Sequence, residues 1–362
     1  MVPRLTAIYH VRGDAASIAV RARAIAVEQS VEMPVAAIDD AFVLSEIVGR
    51  VDAIRALTDG VFEVRIALAG ETIGSDAGQL MNMLFGNTSL HEDVILSDVE
   101  LPAELVAAFA GPRHGLPALR QRVGAEKRAL TCSALKPQGL APAALADLAR
   151  RFAAGGVDYI KDDHGLADQD YSPFAARVEA IAAALAAYPD TQYVPSLSGD
   201  LGTMRRQVAA AAAVGIEAAM VSPMVAGVSN FHRLAQDNPS FAFFAHPALA
   251  GAARIAPELL IGKLFRMLGA DAVVFPHHGG RFGYSPDTCR AVARAALADW
   301  HSLHPSVPVP AGGMTLARVP EMLDFYGADI MLLIGGDLLQ ARDRLTEETA
   351  AFVTAVHRYP YG

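Results

Sequence analysis

The sequence predicts an α/β protein, a (β/α)8 TIM barrel preceded by a small α+β (ferredoxin-like) domain. Three observations predict it. From about residue 129 onward, eight short apolar runs alternate with stretches of helical spacing, the pattern of strands buried on both faces of a parallel sheet. A glycine, a small or aliphatic residue and an acid precede four of these runs, at Gly156-Val157-Asp158, Gly215-Ile216-Glu217, Gly269-Ala270-Asp271 and Gly327-Ala328-Asp329. Such a glycine suits a helix C-cap that leads into the next strand. The first 125 residues lack the repeat.

In that first part, 4–11 reads as a strand, 15–28 as a helix, 47–56 and 61–69 as strands and 76–84 as a short helix. Together they suit a small antiparallel sheet with helices. The helical spacing over 116–127 reads as a connector, which places one domain at 1–125 and the barrel at 126–362. The barrel strands are expected at 129–133, 157–160, 192–196, 218–221, 241–245, 272–275, 307–310 and 330–334. Helices are expected at 142–154, 173–187, 203–214, 256–268, 287–301 and 316–326, with Pro142 and Pro173 at first helical positions, where a missing N–H costs nothing. A doubly wound open sheet is the rival architecture, but the Gly-rich turn it usually carries after its first strand is missing.

The chain has 362 residues, 52% hydrophobic and 19% charged, so material for a large core is ample. A net charge of −9 without any basic stretch argues against a nucleic-acid partner. Arg and Asp break the N-terminal apolar run, as no signal peptide would allow, and no uninterrupted apolar run approaches the ~18 residues of a membrane span. The two cysteines, Cys132 and Cys289, form neither a disulfide framework nor a thiolate metal site. A cytoplasmic protein is expected.

In a parallel barrel the active site lies where strands end and βα loops begin. Polar residues collect there: Lys136-Pro137-Gln138-Gly139, Lys161-Asp162-Asp163-His164-Gly165, His246-Pro247, His277-His278-Gly279-Gly280-Arg281, Ala311-Gly312-Gly313 and Gly335-Gly336-Asp337. Lys161 and Asp163, two apart in extended backbone, point the same way. Asp163 and His164 suit a divalent ion such as Mg²⁺, with Lys161 a ligand only if its charge is removed, as in a carbamate. The plainer reading of that segment is a solvated acidic turn. Gly312-Gly313 and Gly335-Gly336 follow the last two strands, where barrels often bind phosphate through backbone N–H groups, although Asp337 is an unhelpful charge there. Lys136 reads as a catalytic base or clamp, or as a snorkelling surface residue. His246 reads as catalytic or as a satisfied core histidine, and Cys132 as buried. Arg281 suits an anionic substrate. His277 and His278 cannot both face one way, so one of them is structural.

These segments resemble the ribulose-bisphosphate carboxylase (Rubisco) large-chain superfamily. Gly155-Gly156-Val157-Asp158-Tyr159-Ile160-Lys161-Asp162-Asp163 resembles its metal-site motif, and Leu135-Lys136-Pro137 the motif of its enolising lysine. Ala245-His246-Pro247-Ala248, Ala311-Gly312-Gly313 and Ile334-Gly335-Gly336 are similar to further active-site loops. Val27-Glu28-Gln29-Ser30 and Phe85-Gly86-Asn87 resemble segments that reach the partner subunit's active site. The resemblance implies Mg²⁺ at an N6-carboxylated Lys161 with Asp163 and His164. It also implies Lys136 as base, His246, Glu28 and Asn87 as catalytic residues, and a homodimer with shared active sites.

The departures narrow the function. His164 stands where the family has a third carboxylate, Pro247 where carboxylases have an arginine, and Ala311 where they have a serine. Gly279-Gly280-Arg281-Phe282 offers no clear counterpart for the lysine that stabilises a carboxylated intermediate. The chain therefore resembles the Rubisco-like proteins, and CO₂ fixation is not expected. The expected reaction is enolisation of a phosphorylated ketose or acid sugar, as in a proton-transfer isomerase of 5-methylthioribulose 1-phosphate. The alternatives are a decarboxylase or C–C hydrolase of a 3-oxo sugar-acid phosphate such as 3-oxo-isoapionate 4-phosphate, and a non-catalytic binding protein.

Overall fold

The computed structural model describes residues 3–58 and 60–361. They form two compact units, the described residues up to 110 with 249–260, and 111–248 with 261–361.

The first unit is built on an antiparallel sheet of β1 (Arg4–Arg12), β2 (Arg50–Thr58), β3 (Val61–Ala69) and β4 (Val94–Glu100), in the order β2-β3-β1-β4. β1 lies at the centre of the hydrophobic layer, with Leu5, Ala7, Tyr9 and Val11 buried. β4 is a strand the sequence reading did not foresee. It pairs with β1 from Thr6↔Glu100 to Val11↔Val94, with a register shift at Ile8/Tyr9. Ser97 and Asp98 break the alternation that would have marked it. Helices cover Ile18–Glu28 and Ala77–Phe85. The second begins where the Asp76 side chain accepts from Gln79 N–H, which satisfies one otherwise orphaned donor.

The second unit is the barrel. Its eight strands are β5 (Leu130–Leu135), β6 (Tyr159–Asp162), β7 (Gln192–Val194), β8 (Ala218–Val221), β9 (Ala242–Ala245), β10 (Ala272–Pro276), β11 (Val307–Ala311) and β12 (Met331–Leu333). They run parallel in two arcs, β12-β5-β6-β7 and β8-β9-β10-β11. A bridge at Ser196↔Met220 joins β7 to β8, and β11 lies beside β12. Alternate residues fill the interior: Leu130, Cys132 and Ala134 of β5, Met220 of β8, Phe244 of β9, Val307 and Val309 of β11. Period-two side-chain alternation in a closed sheet places them there.

The boundary between units falls earlier than the sequence reading set it. Leu116, Leu119, Val123 and Ala125 belong to the same buried cluster as the barrel strands, and Tyr159 Oη donates to Leu119 O at 2.7 Å. The segment read as a connector therefore packs against the beginning of β6; its helix is Gly115–Gln121. Two further expectations change. Pro173 is the residue before the helix Phe174–Leu185, not its first residue, whereas Pro142 does open Pro142–Ala154. The stretch 256–268 winds as a π-helix over Glu258–Leu264 and only then as an α-turn, Phe265–Met267.

Candidate functional site

Five of the residues singled out in the sequence lie together at the C-terminal ends of the barrel strands. Lys136 directly follows β5, Lys161 lies in β6, Asp163 and His164 follow β6, and His246 follows β9. Lys136 Nζ is 2.9 Å from Asp163 Oδ1, and His164 Nδ1 is 3.4 Å from the same oxygen. The rings of His164 and His246 stack, 4.3 Å between centroids.

Burial sets the protonation of this group. Lys161 is 4% exposed, with Nζ donating to Asp162 O at 2.8 Å. Burial pushes its ammonium below the usual lysine range. Burial would raise Asp163, but hydrogen bonds from His164 and Lys136 and the charges of Lys136 and Lys161 hold it well below the usual carboxylate range. His246 is pushed down to about 2, first by burial and then by the positive fields of Lys161 and His164. Its Nδ1 accepts from Ala248 N–H at 3.2 Å, so the proton of the neutral ring sits on Nε2.

Asp162 takes no part in this cluster. Its buried carboxylate is held by Arg177 Nε (3.1 Å), Tyr193 Oη (2.7 Å) and Ser196 N (3.1 Å). Adjacent strand residues point to opposite faces, so a run of two aspartates supplies one to the centre and one to the scaffold.

The remaining candidates form separate groups. Arg281 N donates to Gly312 O at 2.8 Å, and its guanidinium lies 5.6 Å from the Phe282 ring. Gly312 and Gly313 have φ of 91° and 102°, which favours glycine, and a side chain at Gly313 would press on the Arg281 chain. Gly335 and Gly336 begin the short helix Gly336–Leu339. Asp337 is turned away to accept Leu316 N–H at 3.0 Å, so its charge is committed to the neighbouring loop. A groove of about 560 Å³ runs between Lys136, Pro137, Leu140, Leu148, Gly336 and Leu339. His277 is fully buried against Gly280, whereas His278 packs on Phe325 at 4.4 Å and approaches Glu321 at 3.5 Å. Cys132 and Cys289 are both free and buried.

In the first unit, Asn87 Nδ2 donates to Glu28 Oε1 at 2.9 Å and to Glu32 Oε1 at 3.0 Å. Buried Gln29 fixes this arrangement. It donates to Asn82 O and Met83 O and accepts from Thr88 N, which brings the two chain segments together.

Among the described residues, no three His, Cys, Asp or Glu side chains gather closely enough to hold a metal. Asp163 and His164 supply a hard and an intermediate donor, and Lys161, as a carbamate, would supply a third. A buried lysine biased toward its neutral amine is the form able to add CO₂, so the donor set fits a divalent cation on that condition.

Residues 115–291 match the family model for the ribulose bisphosphate carboxylase large chain, catalytic domain. The chain is 61% identical to a 5-methylthioribulose-1-phosphate isomerase of Rhodospirillum rubrum, covering 98% of this chain and 97% of that one. The chain belongs to the Rubisco large-chain superfamily, in its Rubisco-like group. A solved Rubisco-like protein of Rhodopseudomonas palustris superposes with a TM-score of 0.93 at 51% identity, over 99% of both chains. A 2,3-diketo-5-methylthiopentyl-1-phosphate enolase of Geobacillus kaustophilus is 32% identical over 76% of this chain and 70% of that one. Two of the departures noted above sit at the cluster itself. His164, in place of a carboxylate, stacks on His246, and Pro247 follows that histidine.

No helix of the described residues is long and apolar enough to cross a membrane. Arg177 and the Ala248 N–H escaped the sequence reading. Arg177 left one signal: it shares a helical stripe with Phe174, Val178 and Ile181, an unusual place for a charge.

Proposed function

We propose that the protein is a proton-transfer isomerase of a phosphorylated ketose, acting on 5-methylthioribulose 1-phosphate or a near relative through an enediolate. The observation that carries the reading is the Lys136–Asp163–His164–His246 cluster around a buried Lys161, in a chain 61% identical to a relative bearing that activity in its name.

Lys161 reacts as the neutral amine: its nitrogen adds to CO₂, a C–N bond forms, and one proton leaves to solvent. The carbamate oxygens, Asp163 and His164 would be the donors that hold Mg²⁺. When bound, the cation supplies electrostatic stabilisation of the two adjacent oxygens of an enediolate. His246 donates Nε2–H to a substrate oxygen as negative charge builds there. Because its ring is neutral, it steadies that charge without surrendering a full proton. Lys136 removes the proton on the carbon beside the ketone and returns it to the neighbouring carbon. To accept it, Lys136 must first lose its own ammonium proton to solvent, which the ion pair with Asp163 at 2.9 Å opposes and a cation held by Asp163 would favour. A positioned general base of this kind contributes about 10²- to 10⁴-fold in rate.

The phosphate is assigned to the backbone N–H groups and Arg281 around Gly312-Gly313, with Gly335-Gly336 as the second loop of the site. The aliphatic walls of the groove beside Lys136, Leu140, Leu148 and Leu339, suit an uncharged thioether tail. Glu28 and Asn87, held to one another, are assigned to the partner subunit's site in a homodimer, and the protein to the cytoplasm.

Proton NMR in D₂O with Mg²⁺, bicarbonate and 5-methylthioribulose 1-phosphate tests the reading. The expected product is an isomer carrying deuterium at the reacting carbon, with no CO₂ released. Decarboxylation of an acid-sugar phosphate, with no turnover of the methylthio sugar, overturns it in favour of a lyase.

A further inference from the structure

We propose that Asp162 and Arg177 are positioning residues: a buried ion pair that fixes the loop 163–173 and so sets the placement of Asp163 and His164 against Lys161. The consequence for the metal rests on the function proposed above, while the consequence for the loop does not.

Both side chains are wholly excluded from solvent, with Arg177 Nε 3.1 Å from Asp162 Oδ2. The guanidinium spends its other donors on the loop, with Nη1 donating to Ser172 O at 2.7 Å and Nη2 to Ala167 O at 2.8 Å. The carboxylate also binds the neighbouring strand, taking Tyr193 Oη at 2.7 Å and Ser196 N at 3.1 Å. One pair thus ties β6, β7, the helix Phe174–Leu185 and two carbonyls of the loop that begins with Asp163. The Asp162 carbonyl, on the same residue, receives Lys161 Nζ at 2.8 Å. A shift of Asp162 therefore moves the amine and the carboxylate that flank it together.

A buried charge pair of this kind is weak evidence for stability, since apolar residues of similar volume often serve a core as well. Four loop and strand contacts beyond the pair itself point instead to geometric control, as outer partners do for metal ligands. Arginine is required by the fork: lysine keeps the charge but cannot reach Asp162, Ser172 and Ala167 at once.

The test uses the full chain as wild type, Arg177→Lys and Tyr193→Phe, the latter removing a single bond should the former fold poorly. Hydrogen exchange of the metal-free protein is read by peptide, and Mn²⁺ binding with bicarbonate by electron paramagnetic resonance. The expected result is faster exchange confined to 163–173 in Arg177→Lys, with a smaller change in Tyr193→Phe. Mn²⁺ affinity falls by about 10- to 100-fold in Arg177→Lys, and kcat falls more than KM rises. Wild-type exchange in the loop overturns the proposal, as does acceleration spread over all barrel strands, which marks a merely structural role. If wild-type protein binds no Mn²⁺ at all, the proposed function fails while the loop exchange still decides the positioning role.

Discussion

Replacing Lys136 by methionine separates chemistry from stability. Methionine keeps nearly the length and apolar stem of lysine and removes only the amine. Lys136 and Asp163 pair at 2.9 Å, with the lysine side chain 33% exposed and the carboxylate 12%. A partly exposed ion pair contributes about 1 kcal/mol at most, so Lys136→Met lowers Tm by roughly 2–4 °C for a domain of this size. Loss of a general base costs about 10²- to 10⁴-fold in kcat, equivalent to roughly 3–5 kcal/mol of barrier. The assay is solvent deuterium incorporation into substrate and product, paired with thermal unfolding. A variant that melts near wild type yet turns over within about tenfold of it refutes Lys136 as the base. One that loses activity only in proportion to a collapsed melt refutes it equally.

Other outcomes follow from the same geometry. Glu28→Gln and Lys136→Met proteins, each impaired alone, should recover about a quarter of wild-type activity when unfolded together and reassembled, because half the dimers then carry one intact shared site; no recovery places Glu28 outside its partner's site. Asp271→Ala orphans the part-buried N–H of His114 and the buried N–H groups of Gly115 and Phe243, now 2.7–2.8 Å from its carboxylate. At about 1–3 kcal/mol each, it should cost the barrel at least ~3 kcal/mol in urea unfolding; a loss under ~1 kcal/mol contradicts the assignment. Chelation should abolish turnover, with Mg²⁺ and bicarbonate together restoring it faster than Mg²⁺ in CO₂-free buffer. Equal recovery in both removes the carbamate from the account.

The barrel was legible because its signal is repeated. Continuous apolar strands and glycine-terminated helices recur along the chain, and β8 and the helix Pro142–Ala154 begin and end where their sequence pattern does. β4 was not legible, since its inward residues Val94, Leu96 and Val99 do not keep strict alternation across the register shift. The helix Gly115–Gln121 looked like a connector because only tertiary packing shows that Leu116 and Leu119 belong to the barrel core. At the site, strand-end position was enough to single out Lys136, Lys161, Asp163, His164 and His246. What pattern alone could not give was the division of labour between Asp162 and Asp163. Their chemistry is identical, and they differ only in which face of β6 each leaves, one toward Arg177 and one toward Lys136. The proton on His246 Nε2 likewise depends on a backbone N–H, which no side-chain pattern encodes.

The central claim is that a carbamylated Lys161 forms part of the catalytic centre. Carbon-13 NMR of the active protein in ¹³C-bicarbonate and Mg²⁺ tests it most directly. The account predicts a carbamate resonance that rises in step with isomerase activity and is missing from Lys161→Met. Full activity in CO₂-free buffer, with no such resonance, would contradict it.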